Sequence, residues 1–259
     1  MPVKLIPNTI KTQDFSFNSI SFIPDFNESE YKDTVAIFTH GYTASKSDCL
    51  NWAQRLCDQG VPCIIFDQPG HLLGSFNEVE SFDIYKEKAH TLFIDALTQL
   101  RSNFKNSFTN LVLGGHSLGG LLSLKAIGLE EFDQYKTIAI TVGVGISQHK
   151  TTHLFESSFY QKTLNIRRQL VVKALDSDLI FPWIKEEKLE LDIIQKRIHL
   201  ITGEDDVVVG TGGQDALEDL LKSNGNSVSS KQPKKLPHHE PSMAATHIFS
   251  FLKSELNWE

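Results

Sequence analysis

The sequence predicts an α/β fold in which a mostly parallel sheet is covered by helices on both faces. Three observations carry this expectation. Short apolar runs of strand length recur along the 259 residues, and segments of helical period separate them. One run, residues 111–113, passes through glycines straight into a helical pattern with no loop between. Strands that alternate with helices require parallel pairing and right-handed crossovers.

Taken in order, Phe15, Phe17, Ile20 and Phe22 recur in a pattern that suits antiparallel edge strands. Residues 35–39 form the first buried strand. Asp48 is placed to cap a helix whose Leu50, Ala53, Leu56 and Cys57 share one face and whose stop signal is Gly60. Residues 61–66 are the next strand, and Tyr85, Ala89, Leu92, Phe93, Ala96 and Leu100 then mark a helix at 3.6-residue spacing. After 111–113, further apolar runs lie at 137–142 and 198–202. The last helix starts near Pro241, a good first-turn residue, and carries Ala244, Ile248, Leu252 and Leu256 on one stripe. The stretch between the last two runs is far longer than a crossover needs. It is expected to be a cap insertion, residues 145–195, in a core domain made of 1–144 and 196–259. Within it Phe155, Phe159, Tyr160, Phe181 and Trp183 are available to line an apolar substrate pocket, or to form the cap's own small core.

Composition excludes several classes. Hydrophobic residues at 40% and charged residues at 22% are those of an ordinary soluble globular chain. A net charge of −7 offers no basic face, so nucleic acid is not an expected partner; Arg167-Arg168 and Lys234-Lys235 read as solvated surface. No apolar run approaches the ~20 residues that span a bilayer, and the first residues lack a secretory apolar core, so the expected location is cytoplasmic. Three cysteines without metal-ligand spacing fit reduced thiols.

The chemistry centres on Gly115-His116-Ser117-Leu118-Gly119. A serine on a sharp strand-to-helix turn is exposed, and small residues two positions either side let strand and helix approach. The helix that follows aims its unpaired N–H groups at any anion formed there. Ser117 is therefore the candidate nucleophile. A serine hydroxyl needs a base within hydrogen-bond reach and a carboxylate to orient that base. In open α/β sheets, loops after successive strands converge on one edge. Two such loops carry the required residues: Gly203-Glu204-Asp205-Asp206, and Pro237-His238-His239-Glu240. Adjacent histidines rarely suit one metal ion, and no metal or cofactor is expected.

On these residues the chain resembles the α/β-hydrolase superfamily over nearly its whole length. His40-Gly41-Tyr42-Thr43 is similar to that family's oxyanion loop, 115–119 to its nucleophile elbow, 203–206 to its acid turn, and His239-Glu240-Pro241 to its histidine loop. Asp67-Gln68-Pro69-Gly70-His71 resembles its turn after the fourth strand, although leucine follows the histidine where glycine is usual. The resemblance implies an eight-stranded, mostly parallel sheet with a small helical cap. It puts the acid on Asp206, with Asp205 the alternative. It puts the base on His239, with His238 standing where glycine is more usual. It also implies oxyanion donors at the backbone N–H of Tyr42 and Leu118, while His40 and His116 orient their loops.

The implied reaction is hydrolysis of small or medium acyl esters through an acyl-enzyme, by a monomer or homodimer acting on a small-molecule ester. Thioesterase, monoacylglycerol lipase, carbon–carbon bond hydrolase and proline-type aminopeptidase share these motifs. The last needs an acidic residue for the substrate amine, for which Glu156, Glu186 and Glu187 are the candidates. A ligand-binding receptor on the same fold is the alternative outside enzymes.

Overall fold

Alternation along the central strands sorts their side chains into two apolar layers, one on each face of the sheet. The structure, a computed structural model, describes residues 3–25, 31–146 and 158–258, with only the backbone of 158–162 included. Its strands are β1 (Val3–Lys11), β2 (Ser16–Pro24), β3 (Thr34–Thr39), β4 (Cys63–Phe66), β5 (Asn110–His116), β6 (Lys136–Val142), β7 (Arg197–Ile201) and β8 (Ser227–Lys231). They form one eight-stranded sheet in the order β1-β2-β4-β3-β5-β6-β7-β8. The first two strands pair antiparallel with each other, and β2 pairs antiparallel with β4; every later pairing is parallel.

Val35, Ile37, Leu111, Leu113 and Leu200 point into one layer, while Ala36, Phe38, Val112, Ile140 and Ile201 point into the other. Both faces must therefore be covered. Helices α1 (Leu50–Cys57) and α8 (Ala245–Glu255) close the second layer through Trp52, Leu56, Ile248 and Leu252. The first layer is closed by α2 (Phe82–Lys88), α3 (Leu92–Asn103), α4 (Leu118–Ala126) and α7 (Gly213–Ser223). Among the described residues, no helix is long and apolar enough to cross a membrane.

Between β6 and β7 lie α5 (Ser158–Arg167) and α6 (Ser177–Glu187). Val171, Val172, Leu175, Ile180 and Trp183 of this stretch join the first apolar layer, so its apolar side chains pack into the body. Backbone bonds tie it down as well: Leu72 N–H donates to Leu170 at 2.9 Å, and Val172 N–H to Gly70 at 2.9 Å.

Two local expectations are corrected. Asp48 caps no helix; it lies in a 3-10 turn, Lys46–Cys49, that runs into α1, and Trp52 rather than the 39% exposed Leu50 fills the buried face. The single helix expected through 85–100 is broken by a 3-10 turn at Ala89–Thr91. There the Thr91 hydroxyl donates to the Lys88 carbonyl at 2.9 Å, a local bond that competes with the regular helical ladder.

Candidate active site

β5 ends at His116 and α4 begins at Leu118, which leaves Ser117 alone at the junction with φ 50° and ψ −113°. A serine in that region is strained, and the surroundings must hold it there. They do so through its own backbone: its N–H donates to Val142 at 2.8 Å, and its carbonyl accepts from Leu121 N–H at 3.0 Å. The flanking glycines make the turn sterically possible. A Cβ on Gly115 would lie 2.3 Å from the Gly119 carbonyl carbon, and one on Gly119 would lie 2.5 Å from the His40 oxygen. Leu118 opens α4, so the helix supplies no acceptor for its N–H. Across from it runs the loop after β3, where Gly41 approaches so closely that an added Cβ would be 3.3 Å from Ser117 Cβ and 2.7 Å from His116 Nδ1. The Tyr42 side chain anchors this loop: its hydroxyl donates to the Leu175 carbonyl at 2.7 Å, and its ring meets Phe181 edge-on at 5.1 Å.

The acidic and histidine loops meet beside this junction. Asp206, 5% exposed, accepts from the N–H groups of Val208 and Val209 at 2.9 Å each through Oδ1. Its Oδ2 lies 2.8 Å from Nδ1 of His238. A carboxylate can only accept, so the contact places a proton on Nδ1; in the neutral ring that arrangement leaves the lone pair on Nε2. The expectation that His239 pairs with Asp206 is corrected. His239 has a side chain 77% exposed, and its nearest charged group is Glu240 at 3.7 Å. The reason lies two residues upstream. Leu236 is buried, and its N–H is held by Asp205 Oδ1 at 2.9 Å, so the loop enters with residue 236 inward; His238 then reaches Asp206, while the largely exposed His239 also borders the cavity without meeting that carboxylate. The neighbouring aspartates divide the work: Asp205 fixes the loop and Asp206 meets the ring. Gly143, with φ 68°, completes the fit, since a Cβ there would be 3.0 Å from His238 Nδ1.

A buried polar network supports the loop after β3 from below. His40 Nε2 accepts from Gln68 N–H at 2.9 Å, and its Nδ1 donates to the Gly41 carbonyl at 2.8 Å. The Gln68 side chain bridges the His40 carbonyl and the Tyr85 hydroxyl. Asp67, fully buried, binds both the backbone N–H (2.7 Å) and the ammonium (2.5 Å) of Lys46. Burial holds the pKa of His40 down to about 4 and that of His71 to about 3. Burial, seconded by Lys125 at His90 and Lys231 at His199, brings each of those to about 4. These folded values lie below the unfolded 6.5, so the stability these groups contribute is complete above pH 6.5 and is lost as pH falls toward 4. Unfolding at pH 5 is expected to place roughly four protons from solvent on these histidines. The slope of unfolding free energy against pH between 5 and 6 checks this, and a flat profile would contradict it.

A cavity of about 340 Å³ opens above Ser117, walled by His116, His238, Tyr42, Phe181 and Val144 among others. Phe181 thus stands where a substrate-lining aromatic was expected. Trp183 does not: it is 7% exposed, meets Phe82 and Tyr85 edge-on, and donates to Glu187 Oε2 at 2.6 Å, so it seals α6 to the body. Phe155 and Glu156 lie outside the described residues, as do the side chains of Phe159 and Tyr160. Among the wall residues that the sequence did not place at the site are Gly143 and Lys188, together with Asp48 and Arg167, which it read as a helix cap and as solvated surface. Of these, only Gly143 had a usable signal, a glycine directly after an apolar strand run.

The family model Hydrolase_4, described as serine aminopeptidase, S33, matches residues 30–196. The chain belongs to this α/β-hydrolase family. Among solved structures, this hydrolase is similar to Est1E from Butyrivibrio proteoclasticus, at 15% identity and TM-score 0.61, with 97% of this chain and 99% of that one covered. It is similar to the Pyrococcus furiosus esterase Pf2001 at 16% identity and TM-score 0.64, covering 97% and 93%. The acylaminoacyl peptidase of Pyrococcus horikoshii matches at 14% identity and TM-score 0.64; 98% of the hydrolase is covered, but it spans only 42% of that longer chain. At such identities the likeness is one of fold. No curated protein matches the sequence.

Proposed function

We propose that the hydrolase cleaves carboxylic esters of small to medium acyl chains, with Ser117 as nucleophile, His238 as base and Asp206 as the carboxylate that orients it. The observation that carries this reading is the Asp206–His238 contact at 2.8 Å, whose histidine lines the cavity that also exposes the strained Ser117. The Ser117 oxygen attacks the ester carbonyl while its proton passes to Nε2 of His238. The tetrahedral oxyanion is met by the N–H groups of Leu118 and Tyr42, donors worth about 3 kcal/mol each. Collapse breaks the bond to the alkoxide, which takes the proton from His238 and leaves. Water then attacks the acyl-enzyme with the same histidine as base, releasing the acid and restoring Ser117. In this reading residues 145–195 act as the cap, since Arg167, Phe181, Ile184 and Lys188 come from them to the cavity wall.

An aminopeptidase, which the family description brings forward, would need a carboxylate for the substrate's ammonium. Glu187 is already engaged by Lys125 and Trp183, Glu186 is exposed, and neither lines the cavity. Glu156 lies outside the described residues, and the carboxyl among the cavity's described wall residues is Asp48, which makes the aminopeptidase the second reading.

The test is hydrolysis of p-nitrophenyl esters from acetate to palmitate by the wild type and Ser117→Ala. The expected result is saturable turnover with an optimum at short or medium chains, lost in the variant. Turnover that survives in Ser117→Ala would remove the serine from the mechanism, and an enzyme that cleaves aminoacyl p-nitroanilides but no ester would restore the peptidase.

A further inference from the structure

The cavity above Ser117 carries an uneven charge. Among its described wall residues are two formal cations, Arg167 and Lys188, against one carboxyl, Asp48. Lys188 is half-buried just beyond the C-terminal end of α6, and its ammonium donates to the Gly145 carbonyl at 2.5 Å. No carboxylate among the described residues lies within ion-pair distance of it. Lys125, by contrast, is paired with Glu187 one residue before. An ammonium with three donors, one of them used by a carbonyl, is an incomplete site for a partly buried charge. Its position also matters. Gly145 follows Val144, which packs so tightly on α4 that a Cβ at Gly120 would lie 2.5 Å from it, and Ile184 and Leu121 line the same wall. Arg167 reaches the cavity from the end of α5 and donates to the Thr43 hydroxyl at 3.1 Å, next to the expected oxyanion donor Tyr42.

We propose that this site takes esters bearing a free carboxylate, such as monoesters of short dicarboxylic acids, with Lys188 as the residue that binds the carboxylate. The inference rests on the ester-hydrolase reading for its chemistry, but not for its binding geometry. Burial, then the nearby Lys185, lowers the Lys188 pKa to about 8, so the ammonium remains mostly charged near neutral pH. Burial raises the pKa of Asp48, the one carboxyl among the described wall residues. A carboxylate supplies the acceptors that the Lys188 ammonium lacks, whereas an ammonium-bearing substrate would meet repulsion from it.

The experiment measures binding separately from turnover. Ser117→Ala is titrated calorimetrically with monoethyl glutarate and with ethyl 5-methylhexanoate, its neutral isostere. The expected result is at least tenfold tighter binding of the glutarate, lost when Lys188→Met is added and largely kept with Lys188→Arg. Equal affinity for the two ligands overturns the proposal whether or not the Lys188 variants fold, and so does a preference that persists in a folded Lys188→Met protein. Hydrolysis of both esters by the wild type then tests the underlying reading on its own. A binding preference without cleavage of either ester, and without labelling of Ser117 by a fluorophosphonate, would remove the hydrolase chemistry and leave the carboxylate site standing.

Discussion

His238→Ala is expected to lower kcat for a p-nitrophenyl ester by about 10⁴-fold or more, while His239→Ala stays within roughly twofold of wild type. The asymmetry follows from geometry. His238 contacts the buried Asp206 carboxylate at 2.8 Å and packs its ring 4.7 Å from that of His116, whereas His239 is largely exposed and lies 3.7 Å from Glu240. Both variants should retain their secondary structure, because neither ring fills the core. The reverse ranking, with His239→Ala inactive and His238→Ala active, would mean that the loop turns the other way. Asp206→Asn is expected to follow His238→Ala in direction, since the amide can donate to Nδ1 and so favour the wrong tautomer.

The second large effect is on stability. Gly119→Ala is expected to destabilise the fold by about 3 kcal/mol or more, with activity lost in whatever folded protein remains. The added methyl would lie 2.5 Å from the His40 oxygen and 2.6 Å from the Thr39 oxygen, both main-chain atoms at the end of β3. Neither can swing aside as a flexible side chain would. Relief requires α4 to move away from β3, and that movement shifts Leu118 N–H relative to the loop after β3, where the proposed oxyanion donor Tyr42 sits. Chemical denaturation midpoints of the purified variant check this, and a midpoint equal to wild type would show that the junction is looser than these distances imply.

Sheet and junction were legible in the sequence because central strands buried on both faces are written as continuous apolar runs, and because the elbow needs glycine on both sides of its serine. Strand β8 was not legible: Ser227–Lys231 forms the exposed edge of the sheet and offers no apolar pattern to read. Helix α7 did carry a signal in Leu217 and Leu221, but its stretch is otherwise polar. The identity of the histidine could not be read from two adjacent rings, since consecutive loop residues point to opposite sides. What decides it is the tertiary bond from Leu236 N–H to Asp205, made across 31 residues. For the same reason Asp205 and Asp206 looked interchangeable in sequence yet hold different partners in space. Trp183 shows the opposite failure, an aromatic expected at the substrate and found sealing α6 against Phe82 and Tyr85. Lys188 and Arg167 gave no signal, because a lysine or arginine in a helix most often marks a solvated face.

The most direct test of the account is the rate at which a neutral fluorophosphonate modifies the protein, with the modified residue mapped by mass spectrometry, in the wild type, His238→Ala and His239→Ala. The account predicts a single adduct on Ser117, formed at nearly equal rates in the wild type and His239→Ala and far more slowly in His238→Ala. An adduct elsewhere, or a rate on Ser117 that depends on His239 and not on His238, would contradict it.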